Sequence, residues 1–280
     1  MSPVAGGHEL NPDIDCLLKI SMMRISIMFL VLSIQYSLVS GQAKKLVWAD
    51  EFNHTGLPDS SKWGYAVGGN GWGNNELQYY TSERKENAWV ENGHLIISAR
   101  KENYKEKQYS SARMITKGRG DWKYGRVEVK ARLPKGRGIW PAIWMLPTKS
   151  AYGGWPKSGE IDIMEFVGYM PDSLFGSIHT GLYNHTIGTQ RTKGIVLKDL
   201  STTFHVYAIE WTEEKIAFLI DGKQYYEFKN EHTGPGAWPF DQEFHLILNI
   251  AVGGNWGGKY GVDDSIFPQT MEVDYVRVYQ

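Results

Sequence analysis

The chain has almost no cysteine. One residue, Cys16, among 280 excludes a disulfide-scaffolded fold and any cysteine-rich metal site. It also lacks a surplus of either charge. With 30 Lys and Arg against 31 Asp and Glu, the formal net charge is −1, so nucleic acid would find no basic surface to bind. No window of a dozen residues carries an apolar stripe at the helical period, which argues against a helical bundle. The longest apolar run, from Ile25 to Val39, falls short of the roughly 20 residues that a bilayer span needs.

That run has another use. Arg24, the short apolar core behind it and the small residues Ser40 and Gly41 together describe a secretory signal peptide. Residues 1–41 are read as an N-terminal leader, the signal itself at about 23–41, with Met22 or Met23 a better start than Met1. The mature chain begins near Gln42, is secreted or periplasmic, and keeps no membrane attachment once the signal is cleaved. Cleavage removes Lys19 and Arg24 along with Glu9, Asp13 and Asp15, which leaves equal numbers of acids and bases and no cysteine. Residues 42–280 contain no linker and no repeat, and are expected to form a single domain.

What the chain has in quantity is tryptophan, tyrosine and glycine, at 11, 16 and 31 residues. That composition favours strands and tight turns. Val127, Val129 and Ala131 alternate with charges between Arg126 and Arg132, and Glu272–Tyr279 and Phe204–Trp211 follow a similar pattern. Asp221-Gly222 between two apolar runs is a hairpin signal. Many short strands with glycine-rich connections predict an all-β sandwich or barrel. Trp48, Trp63, Trp89 and Trp211 are assigned to its core.

The sharpest feature is Gly159-Glu-Ile-Asp-Ile-Met-Glu-Phe166. Alternation places Glu160 and Asp162 on one face of a strand, but it would send Glu165 to the other, where a buried unpaired carboxylate is costly. A β-bulge near Ile163 and Met164 resolves the conflict by returning Glu165 to the first face. The backbones of Glu160 and Glu165 then stand about 13 Å apart at a rise near 3.3 Å per residue. Side chains leaning inward bring the carboxyls to about 5–6 Å, the spacing of a retaining glycosidase pair. Asp162 between them would share a proton or raise a neighbour's pKa. A solvated acidic face or a metal site is the other reading of the same residues.

Upstream stands Gly-Ile-Trp140-Pro-Ala-Ile-Trp144-Met-Leu, its two tryptophans an even number of residues apart. Gly71-Trp72-Gly-Asn74 and Gly253-Gly-Asn-Trp256 set tryptophan among glycines, a placement suited to a binding rim more than a core. Flat indoles offer a stacking face to the C–H side of a sugar. Trp140, Trp144 and Trp256 form the expected cleft set, with Trp72 and Trp155 nearby.

Together these motifs resemble glycoside hydrolase family 16, in its bacterial laminarinase branch, from about Leu46 to the final residue. The resemblance implies a β-jelly-roll sandwich of two curved antiparallel sheets with a concave substrate cleft. It implies endo-acting, retaining cleavage of 1,3-β-glucan, with Glu160 as nucleophile, Glu165 as acid/base and Asp162 assisting. It also implies that Asn74, Arg113, Trp140, Trp144, His179 and Trp256 contact substrate. No cofactor enters the chemistry, but a structural calcium on Glu51, the Gly93 carbonyl and Asp274 is implied, since oxygen donors suit that ion. The expected partner is a β-glucan polysaccharide and not nucleic acid, and the protein is expected to be a monomer. A mixed-linkage 1,3-1,4-glucanase and a non-catalytic glucan-binding protein are the alternatives.

Overall fold

The computed structural model describes residues 1–3 and 44–280, so the expected signal peptide and Cys16 lie outside the described residues. Within Lys44–Gln280 the turns explain much of the order. Lys215–Ile220 and Lys223–Lys229 are joined through Asp221 and Gly222, both left-handed at φ 49° and 77°, as a two-residue hairpin loop requires.

Antiparallel pairing of this kind builds two sheets. The outer sheet runs Ala88–Glu91, His94–Tyr104, Gln269–Tyr279, Gly125–Arg132, His205–Trp211, Lys215–Ile220, Lys223–Lys229. Leu46–Asp50 shares one edge of Gln269–Tyr279 with His94–Tyr104. The inner sheet runs Lys107–Ile115, Phe244–Val252, Ile139–Pro147, Glu160–Phe166, Ser173–His179, Arg191–Val196. His94–Tyr104 belongs to both layers, because its second half turns to pair with Lys107–Ile115. Among the described residues there is one parallel ladder, Gln78–Thr81 with Lys107–Ile115, and there is no α-helix. The architecture is a β-jelly-roll sandwich.

Val127, Val129 and Ala131 point inward with no exposure, as their alternation predicts. Each fully buried valine contributes roughly 1.5–3 kcal/mol. They pack in one core with Ile143, Ile161, Ile178 and Leu248 of the inner sheet. Phe244–Val252 is buried along its whole length, which explains why its sequence alternates so little. Two expectations need correction. Trp89 points outward, and its indole donates to Glu91 at 3.3 Å, while Trp63 and Trp211 are core residues at 1% exposure. The alternation of Glu272–Tyr279 is broken by a bulge between Val273 and Tyr275, so that Val273, Val276 and Val278 can all face inward.

Candidate active site

Glu160–Phe166 lies inside the inner sheet, between Ile139–Pro147 and Ser173–His179. Only glycine can precede it. Gly159 is left-handed at φ 90°, and a Cβ there would stand 2.9 Å from both Pro239 and Phe240. On one side Asp162 pairs with Trp144 and Met164 with Ile143; on the other, Asp162 pairs with Ser177 and Glu165 with Phe175. The extra residue sits at Ile163 and Met164, both turned inward at 2% and 0% exposure. The bulge therefore falls where the carboxylates require it, and Glu160, Asp162 and Glu165 share the cleft face.

Each carboxylate has its own surroundings. The Trp155 indole donates to Glu160 Oε2 at 2.9 Å, and the Trp140 indole donates to Glu165 Oε1 at 3.2 Å. Asp162 is buried at 3% exposure, and its Oδ2 has no hydrogen-bond partner. The nearest cation-forming group is His179 Nε2, at 3.4 Å from Asp162 and 3.9 Å from Glu160. Burial pushes the Asp162 carboxyl up to about 8. Burial and then the charge of Asp162 push Glu165 up to about 8 as well. The same two causes raise Glu160 well above the ordinary range, against the favourable influence of His179 and Trp155. Three anions this close cannot coexist in a dry site, so the group retains protons at neutral pH.

The carboxylates line a cavity of about 310 Å³ with Asn74, Arg113, Trp140 and Trp144. The Arg113 guanidinium is held between the rings of Trp72 and Trp144, at 4.5 and 4.6 Å from their centroids. Of the other expected residues, His179 is the cross-strand partner of Glu160 and sits beside the acids with 6% exposure. Trp256 extends the aromatic wall, edge-on to Trp140 at 5.5 Å and to Phe175 at 5.3 Å. Trp72 and Trp155 join the lining.

Glu76, Asn249 and His185 also line the cavity and were not anticipated. Asn249 accepts from the Trp144 indole at 2.7 Å and donates to Tyr80 at 3.0 Å. Glu76 is reached by Gln78 at 2.6 Å and Tyr80 at 3.2 Å. The alternation Glu76, Gln78, Tyr80 was a readable signal for one shared face. Asn249 had none, being one polar residue within an apolar run.

One group of side chains could hold a metal. One ligand atom from each of Glu160, Asp162 and His179 lies within 4.8 Å of the others, so this buried group could hold a cation. The expected calcium donors lie elsewhere. The register brings Glu51, beyond Asp50, and Gly93, in the turn before His94, toward the bulge around Asp274. Their oxygens suit calcium. Glu51 presently accepts from Arg277 at 2.8 and 2.9 Å, and Asp274 pairs with Lys130 at 2.6 Å. Such partly exposed pairs contribute under about 1 kcal/mol each, so they do not bar an ion.

Two facing carboxylates in an aromatic-walled cleft on a jelly-roll sandwich define a glycoside hydrolase. The sequence profile of the glycosyl hydrolases family 16 matches residues 75–277, and the chain belongs to that family. It is 58% identical over 243 residues to a β-glucanase of Rhodothermus marinus, covering 84% of this chain and 85% of that protein. The solved laminarinase from Rhodothermus marinus superposes with a TM-score of 0.84 at 56% identity, covering 85% of this chain and 97% of that one. A non-specific endo-β-1,3(4)-glucanase of the family superposes at 0.82 with 50% identity, covering 85% and 92%.

Proposed function

We propose that this enzyme is a laminarinase, an endo-hydrolase that cleaves 1,3-β-D-glucosidic bonds in laminarin-type glucans with retention of configuration. One observation carries the reading: the bulge at Ile163 and Met164 sets Glu160 and Glu165 on one face, with Asp162 between them. Glu160 attacks the anomeric carbon while Glu165 protonates the departing glycosidic oxygen, and a glucosyl ester forms on Glu160. Glu165, now ionised, takes a proton from water, and the hydroxyl attacks the anomeric carbon and releases Glu160. Asp162, buried beside both glutamates, takes up a proton so that Glu160 can attack as the anion. Trp140, Trp144 and Trp256 stack on the sugar rings, and Arg113, Asn74 and His179 address hydroxyls.

The near-zero net charge suits an uncharged polysaccharide. A calcium ion on Glu51, the Gly93 carbonyl and Asp274 would stabilise the outer sheet and take no part in the reaction. Export by the leader and action as a monomer complete the reading. Reducing-sugar release from laminarin by wild type and by Glu160→Gln tests it, with proton NMR of the first-formed anomer. Loss of activity in the variant and a β-anomer product are expected. Equal release from both proteins would overturn the catalytic assignment, and no release from either would point to a binding protein. The relative that acts on both linkages favours a second reading, mixed-linkage cleavage. Rates on lichenan and barley glucan beside laminarin decide it.

A further inference from the structure

Gly253-Gly-Asn-Trp-Gly-Gly258 carries two side chains in six residues. Glycine loses more conformational freedom on ordering than any other residue, so a loop of this composition needs something to hold it. Close approaches explain the glycines. A Cβ at Gly254 would stand 3.4 Å from the Trp140 ring and 3.1 Å from the Asn74 carbonyl, and one at Gly257 would stand 2.8 Å from Trp140 Cβ. The loop therefore lies directly against Trp140 and sets Trp256 edge-on beside it. Its glycines permit that approach and supply no side chain to keep it.

The tether comes from the loop that carries Trp72 and Asn74. Glu76 bridges Gly253, and the Leu77 N–H donates to the Val252 carbonyl at 2.9 Å, so the two loops leave the sheet side by side. Two further bonds join them. The Asn255 N–H donates to the Asn74 carbonyl at 2.7 Å, and the Asn75 side-chain amide donates to Asn255 Oδ1 at 2.8 Å. Asn75 is left-handed at φ 56°, a conformation that asparagine accepts more readily than most residues. Both Asn75 and Asn255 are exposed, and neither lines the catalytic cavity. Each is next in sequence to a residue of the cleft, Asn75 to Asn74 and Asn255 to Trp256.

We infer that Asn75 is a positioning residue, whose amide clasps the two loops together so that Asn74 and Trp256 are in place before a glucan arrives. The inference rests on the proposed glucanase activity and on the sugar contacts proposed for those two residues. Ordering a glycine loop during binding subtracts from affinity, and a loop already ordered avoids that loss. The chemistry is spared, because Trp140, which donates to Glu165, belongs to a strand and is paired there with Ala251. The clasp therefore acts on KM and leaves kcat.

The test is steady-state kinetics on 1,3-β-glucohexaose, with the melting temperature measured beside it. Asn75→Gly keeps the left-handed turn and deletes the amide. KM should rise roughly three- to tenfold, the effect of one hydrogen bond, with kcat within about twofold and the pH–rate profile unshifted. The melting temperature should stay within about 3 °C of wild type. Asn255→Ala should act alike from the other side, and the double variant should be no worse than either single one, because both remove the same bond. Asn255→Asp keeps the acceptor and should keep the wild-type KM. An unchanged KM in the single variants would overturn the inference, as would additive losses in the double one. So would a joint fall of kcat and melting temperature in both, the mark of a general structural role. If one variant fails to fold, the KM of the other, set against Asn255→Asp, decides. A wild type inactive on the hexaose would overturn the glucanase reading, and the inference with it.

Discussion

The indole N–H of Trp155 donates to Oε2 of Glu160 at 2.9 Å, from a loop position that is 43% exposed. The proposed nucleophile of a buried acidic cluster is thus tied to a residue at the cleft rim, and that bond favours its ionised form. Trp155→Phe keeps the ring and removes the donor. A hydrogen bond to a charged group contributes about 1.5–3 kcal/mol, so kcat/KM should fall roughly ten- to a hundredfold. Without the donor the Glu160 carboxyl rises further, and the acidic limb of the pH–rate profile should move to higher pH. An unmoved limb would assign Trp155 to sugar stacking alone.

Deleting Met164 restores strict alternation and leaves Glu160, Asp162 and Glu165 on one face by parity. The deletion variant should therefore keep measurable glucanase activity. It loses a fully buried side chain, and a cost of about 2–4 kcal/mol in stability is expected. A folded but inactive deletion would show that the bulge sets the reach of Glu165 as well as its face.

Glu165 titrates near 8 in the folded chain against an ordinary value of 4.5. Between those values the folded state holds a proton that the unfolded state has released, so stability is full below about pH 4.5 and is lost as pH rises toward 8. Glu165→Gln removes that loss. The variant should be more stable than wild type at pH 8 by roughly 1–3 kcal/mol, and the gain should vanish near pH 4.5. Urea melts at both pH values measure it, and a gain that grows toward acid would contradict the sign.

Millimolar calcium should raise the melting temperature, and a chelator should reverse the rise. Glu51→Gln should lose the response, because it removes a donor beside Asp274. Scanning calorimetry with and without the ion checks it. If calcium has no effect, the Glu51–Arg277 and Asp274–Lys130 pairs are the final state of those carboxylates.

Legibility followed local pattern. The acidic strand could be read together with its bulge, because three carboxylates and their intervening aliphatic residues admit one arrangement with all three acids on the cleft face. Val127, Val129 and Ala131 were readable for the same reason. Asn249 was not, since a strand buried on both faces has no polar rhythm against which one amide stands out. Trp89 misled because an indole can cover a sheet's outer face and still find a polar partner in Glu91. The bulge between Val273 and Tyr275 escaped because no costly residue there demanded it.

Gln269–Tyr279 pairs with Leu46–Asp50, His94–Tyr104 and Gly125–Arg132, and it follows all of them in the chain. During synthesis those strands emerge with an open slot in the middle of their sheet, and they wait more than a hundred residues for the segment that fills it. Until then their ladder groups and inward valines are free to join with the wrong neighbour. The sandwich therefore closes late and in one step, and a ribosome stalled before Gln269 would leave a half-built layer for chaperones to hold or proteases to clear.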